Sequence, residues 1–153
     1  MDFLPQLLSN EIFLTAAIAW MSAQCVKTLI HLLLTKTFVP ERLVGSGGMP
    51  SCHSSTVCAL ATATSYTCGV DSPVFAITLI LAIIVMYDAM GVRRETGIQA
   101  RVLNEMLEAF EALGKDISAE EKLKEFIGHT PLQVLVGAIL GILTANILHT
   151  FFF

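Results

Sequence analysis

The chain has 153 residues, 54% of them hydrophobic and 14% charged, and its mean hydropathy is +0.70. That balance excludes an ordinary soluble domain and offers no basic surface for a nucleic acid; the length suits one domain built in a lipid bilayer. The net charge of −4 decides little, because where the charges fall matters more than their sum.

The opening Met1-Asp2-Phe3 lacks the basic stretch of a signal peptide, so the first apolar run is expected to be a retained helix. That run covers about 12–34. Gln24, Lys27 and His31 fall at i, i+3 and i+7 on one of its faces, and ionisable residues at membrane depth usually face a protein interior or a wet cavity. The plainer alternative for Lys27 is snorkelling to the interface.

Gly45 to Ser55 is the most polar and glycine-rich stretch. Gly47 and Gly48 let the backbone approach a ligand closely. Pro50 suits a first helical turn, and Ser51, Ser54 and Ser55 offer capping hydroxyls. The helix entrance aims unpaired N–H groups at whatever lies before it, and His53 can exchange a proton near neutral pH. Together these residue types suit a phosphate; the alternative is a mere connection between two membrane helices.

A second span is expected over 51–68, rich in the small residues that let membrane helices pack closely. After a turn at 69–73 comes the plainest span, 74–90. It runs into Asp88-Ala89-Met90-Gly91-Val92-Arg93-Arg94, where an aspartate and an arginine pair suit a phosphate, a metal plus a phosphate, or an interfacial charge cluster. Within 96–127, Ile98, Val102, Met106 and Phe110 recur every fourth residue, which predicts an amphipathic helix on the bundle or membrane surface, ended by Gly114. Ser118-Ala119-Glu120-Glu121 reads as a capping box opening a short helix over 119–126. Gly128-His129-Thr130-Pro131 is a polar entrance to the last span, 131–152, in which Gly137 and Gly141 form a close-packing G-x-x-x-G face and His149 is interfacial. Of the four cysteines, none lies in a C-x-x-C pair or at zinc spacing from a histidine; Cys25, Cys58 and Cys68 read as small apolar packing residues.

The expected fold is therefore all-α: a single integral-membrane helical bundle over 1–153, with about four transmembrane helices and an amphipathic cytoplasmic helix between the third and fourth. Four spans bring the end of the first, the start of the second, the end of the third and the start of the fourth to one face. Lys27 or Lys36, His53, Asp88, Arg93, Arg94 and His129 then converge. All nine Lys and Arg residues lie in or beside the two connections on that face, which the positive-inside rule assigns to the cytoplasm, leaving both termini outside.

Two histidines, several cations and a glycine turn suit phosphomonoester chemistry, with one histidine as nucleophile and the other as acid. A site open to both lipid and water suits a phosphate head on an apolar tail. Met49-Pro50-Ser51-Cys52-His53-Ser54 resembles the P-S-G-H motif of the type-2 phosphatidic acid phosphatase superfamily, and Gly128 to Gly137 resembles its G-x-H-x-x-x-D-V-x-x-G segment. Taken with D-x-x-G-V-R-R at Asp88 to Arg94, these runs resemble the divergent branch of that superfamily, related to acid phosphatases and vanadium-dependent haloperoxidases.

The resemblance implies a membrane phosphatase that hydrolyses a lipid or isoprenoid phosphate monoester through a phosphohistidine. It implies His129 as nucleophile, His53 as general acid and Gln133 in the orienting position. Lys27, Arg93 and Arg94 would bind phosphate alongside Gly47, Gly48, Ser51 and Ser54. It requires no cofactor, although a divalent metal on Asp88 stays open. Two departures stand out: Gln133 replaces an aspartate, and Leu123 stands where the superfamily has an arginine. A non-enzymatic phospholipid-binding or transport protein with a degenerate site is the competing expectation, and a homodimer would supply the helices a four-span chain lacks.

Overall fold

The computed structural model describes residues 3–43, 45, 48–113 and 129–153. The expected helix stop at Gly114, the capping box at 118–121 with its short helix, and the candidate Gly47 lie outside these. Among the described residues six α-helices run in order: α1 (Phe3–Leu8), α2 (Glu11–Thr35), α3 (Cys52–Cys68), α4 (Pro73–Met90), α5 (Val92–Ala112) and α6 (Pro131–Phe151), with a 3-10 turn at Pro40–Leu43. No strand occurs among the described residues, so the chain is an all-α membrane protein.

Local chemistry sets the helix ends. Asn10 caps α2 by accepting the Phe13 N–H at 3.0 Å, and Lys36 closes it in the left-handed conformation, φ 56°. Ser72 and Thr130 cap α4 and α6, each followed by a proline at the first helical position, where the missing N–H removes no intrahelical bond. Pro50 stands outside its helix, not in the first turn: Ser51 is the N-cap of α3, and the Met49–Pro50 peptide is cis.

The bundle is organised around α3, which packs against α2, α4 and α6. Ser51 N–H donates to the Gln133 carbonyl at 3.1 Å near the starts of α3 and α6, and Tyr66 hydroxyl donates to Asn146 Oδ1 at 2.6 Å near their ends. The two helices therefore run parallel. The α3 surface is small: Ala59 meets Ala19 and Ala145 in the dry centre, and Ser55 hydroxyl donates to the Ala19 carbonyl at 3.1 Å. Its threonines bond their own helix, Thr56 to Cys52 O at 2.7 Å and Thr64 to Leu60 O at 2.7 Å, so polar side chains cost little in this interior.

Among the described residues, three helical runs are long and apolar enough to cross a bilayer: Glu11–Thr35, the run starting at Pro73, and Pro131–Phe151. The expectation of about four spans counted α3 as well. That helix has 17 residues, about 26 Å at 1.5 Å per residue, at the short end of what crosses a bilayer, and it packs against α2, α4 and α6. The large apolar residues of α4, such as Ile77, Ile80 and Ile84, are exposed, with only Ala82 and Ala89 buried, as a lipid-facing helix requires.

Three local expectations change. The amphipathic helix expected within 96–127 starts at Val92, directly after Gly91, so Arg93 and Arg94 belong to its first turn. Cys58 is buried as expected, but Cys25 and Cys68 are exposed on the surface of the bundle. Gln24 and Lys27 are buried, whereas His31 is half-buried and its ring meets Thr35 Oγ1 at 3.3 Å, apart from the pair that shares its helical face.

Candidate functional site

Three helix ends meet at one end of the bundle, and α2 passes beside them. The start of α3 carries Ser51, Cys52 and His53; the start of α6 carries Thr130 and Gln133, with His129 just before it. The last turn of α4 joins them, because the His129 N–H donates to the Ala89 carbonyl at 3.1 Å. From α2, Lys27 reaches across: its Nζ donates to Gln24 Oε1 at 2.6 Å and to the Gly45 carbonyl at 3.1 Å, and lies 3.8 Å from Cys52 Sγ. Cys52 Sγ is in turn 3.8 Å from His53 Nδ1. The rings of His53 and His129 lie edge to face, their centroids 6.3 Å apart and their planes at 61°. That is close enough for one small group to touch both.

His129 is only 2% exposed and its orientation is fixed by Gln133. The amide oxygen of Gln133 accepts the Thr130 N–H at 3.0 Å, while the Gln133 N–H reaches Thr130 Oγ1 at 3.4 Å; together they form a capping box. The same Oε1 lies 3.2 Å from His129 Nδ1. A backbone N–H must meet the oxygen end of the amide, so the atom facing Nδ1 is an acceptor and Nδ1 must carry the proton. The lone pair is then on Nε2. One glutamine both opens α6 and selects the tautomer of the histidine before it. The T-x-x-Q spacing at Thr130 to Gln133 is the sequence signal for this double duty, which motif reading alone passes over.

The glycines of α6 set the distance to α3. A Cβ built on Gly137 would sit inside van der Waals contact of the Ser51 carbonyl, and one on Gly141 would lie 2.8 Å from the Ser55 carbonyl carbon. Backbone thus rests on backbone, and Ser51 N–H can reach the Gln133 carbonyl.

Gly48 has φ 82°, a conformation glycine adopts without strain. Ser51 Oγ accepts the Ser54 N–H at 3.3 Å and the Ser54 hydroxyl at 3.0 Å, and both serines are fully buried, so these hydroxyls serve the helix entrance. Asp88 is half-buried in the last turn of α4, next to Ala89. Arg94 is exposed on α5; the side chain of Arg93 lies outside the described part. Among the described residues, no three His, Cys, Asp or Glu side chains are grouped as a metal site.

A groove of about 390 Å³ lies between α4 and α6, walled at its head by Met90, Pro131 and Val134. A second, of about 420 Å³, continues toward the other end over Cys58 and Ala61 of α3, and the two share Met86 and Ala138. Both linings are overwhelmingly apolar.

The sequence pattern of the Divergent PAP2 family matches residues 8–144. The chain is also 37% identical over 156 residues to the uncharacterized membrane protein YuiD of Bacillus subtilis (strain 168), covering 96% of this chain and 99% of that one. No solved structure matches.

Proposed function

We propose, from the premise that the chain belongs to the Divergent PAP2 family, that it is a membrane phosphohydrolase acting on a lipid or isoprenoid phosphate monoester. The observation that carries the reading is the histidine pair: His129 held as the Nδ1–H tautomer by Gln133, facing His53 across 6.3 Å. In the proposed reaction His129 Nε2 attacks phosphorus and the P–O ester bond breaks. The leaving alkoxide takes a proton from His53. Water then attacks the phosphohistidine, His53 takes its proton, and the N–P bond breaks to release inorganic phosphate. Lys27 and the N-terminus of α3 balance charge on the phosphoryl oxygens. Neither step calls for a metal.

The grooves between α4 and α6 support an amphiphilic substrate, because an apolar tail leaving the head site toward Met90 and Pro131 stays in apolar surroundings along both. We place the site on the cytoplasmic face and the termini outside, on the distribution of the nine Lys and Arg residues.

The test is phosphate release from a panel of lipid and isoprenoid monophosphates by the purified protein in detergent, together with trapping of radiolabelled phosphate as an acid-labile, base-stable protein adduct. Release with adduct supports the phosphohydrolase. A protein that binds these lipids but releases no phosphate would instead be a binding or transport protein, the reading favoured by the uncharged Gln133. A further expectation concerns the tail. Ala138→Trp, at the junction of the two grooves, is expected to lower the ratio of rates on sixteen-carbon and four-carbon alkyl phosphates by about tenfold, since an indole there blocks the path. An unaltered ratio would place the tail elsewhere.

A further inference from the structure

Lys27 is only 2% exposed, and Gln24, one helical turn earlier, is 1% exposed. A buried ammonium on a four-carbon stem has many rotamers, so its place depends on the acceptors around it. Its contacts outside α2 include the carbonyl of Gly45 in the glycine-rich stretch, at 3.1 Å, and Cys52 Sγ at the first residue of α3, at 3.8 Å. A shorter contact than either, 2.6 Å, is to Gln24 Oε1 on the same helix. That contact belongs to α2 alone and exists whether or not the glycine stretch is in place. It aims Nζ past its own helix at Cys52, and Cys52 touches His53.

We propose that Gln24 is a positioning residue: its amide oxygen holds the Lys27 ammonium where the phosphate of the substrate meets it, beside Cys52 and His53. The inference rests on the phosphate-binding part of the function proposed above, and not on hydrolysis. Gln24 does not touch the phosphate. Its neutrality is part of the role, because a dipole fixes the ammonium without cancelling its charge, whereas a carboxylate would fix it and cancel it. A purely structural Gln24, serving only to satisfy a buried cation, would have no such requirement.

Two substitutions separate these roles. Gln24→Leu keeps the volume and removes the acceptor; Gln24→Glu keeps an acceptor at the same reach and adds a negative charge. The full-length protein in detergent is titrated calorimetrically with inorganic phosphate, and the thermal unfolding of each variant is followed alongside. Wild-type protein is expected to bind phosphate, and Gln24→Leu to bind it about tenfold to a hundredfold more weakly, the range for losing one hydrogen bond to a charged group. Gln24→Glu is expected to unfold no lower than wild type, yet to bind phosphate at least as weakly as Gln24→Leu. Wild-type affinity in Gln24→Glu, or in both variants, overturns the inference, and so does absence of phosphate binding by wild type. Binding that depends on Gln24 in a protein that hydrolyses nothing upholds the inference and ends the phosphohydrolase reading. Hydrolysis by wild type with phosphate affinity indifferent to Gln24 does the reverse.

Discussion

Phosphate release by His129→Ala protein is expected to fall to background, a loss on the order of 10⁴-fold or more, because the substitution removes the atom that would form the bond to phosphorus. The same measurement on Gln133→Glu is expected to move the other way. In a Ser-His-Asp triad, exchanging the orienting aspartate for its amide lowers kcat by about 10⁴, and the wrong histidine tautomer accounts for much of this. Here the tautomer is already right. The Thr130 N–H holds the oxygen of Gln133 in place at 3.0 Å, and that oxygen faces His129 Nδ1 at 3.2 Å. What the glutamine lacks is charge to stabilise the imidazolium character that builds up as Nε2 bonds to phosphorus. A glutamate keeps the length and the capping box and adds only that charge, so the expected gain is the electrostatic remainder, about 10- to 100-fold, or roughly 1.4–2.8 kcal/mol of barrier. Single-turnover rates on the best substrate of the panel decide it. A rate equal to or below wild type would mean that the orienting hydrogen bond, and not the missing charge, governs this histidine.

The contrast between these two variants shows how far the motifs could be read. The P-S-C-H-S and G-H-T-P runs identify both histidines, and helix parity brings them to one face. Helical spacing puts Gln24 and Lys27 on one face with His31. But spacing assigns a direction and not a partner. His31 lies one turn beyond Lys27 and bonds Thr35, at the end of α2, outside the bundle's dry part. Gln133 was legible as a lost carboxylate and not as half of a capping box, because the motif records which residue is replaced and not what the replacement bonds. The enclosure of α3 was hinted at by its Ala, Ser, Thr and Cys content. Its length of 17 residues sits at the short end of what crosses a bilayer, a comparison that needs the ends of the helix. The start of α5 at Val92 was set too late, at 96, because the regular apolar repeat that marks the helix begins only at Ile98.

Gly137→Ala is the second substitution expected to have a large effect, and it should act on the site without touching it. An alanine normally favours a helix over glycine by about 1 kcal/mol, so on propensity alone α6 would be strengthened. The opposing effect is contact. The new Cβ would lie 3.1 Å from both the carbonyl carbon and the Cβ of Ser51, and closer still to its carbonyl oxygen. The main obstacle is backbone, which has no rotamer to change, so α3 and α6 must move apart. Overpacking of this kind costs about 1–3 kcal/mol and outweighs the gain in propensity. The movement falls where it matters most: Ser51 is the N-cap of α3, two residues before His53, and its N–H bonds the Gln133 carbonyl at 3.1 Å, four residues after His129. Separating those chains by about 1 Å lengthens the path between the two rings, and misplacement on that scale costs about 100-fold in rate. The expected result is a folded, monodisperse protein with a lowered melting temperature and phosphate release down about 100-fold. Leu143→Ala, on an outward-facing position that is 53% exposed, should leave the rate near wild type. If Gly137→Ala kept full activity, the spacing between α3 and α6 would not set the distance between His53 and His129, and the two histidines would not act as a pair.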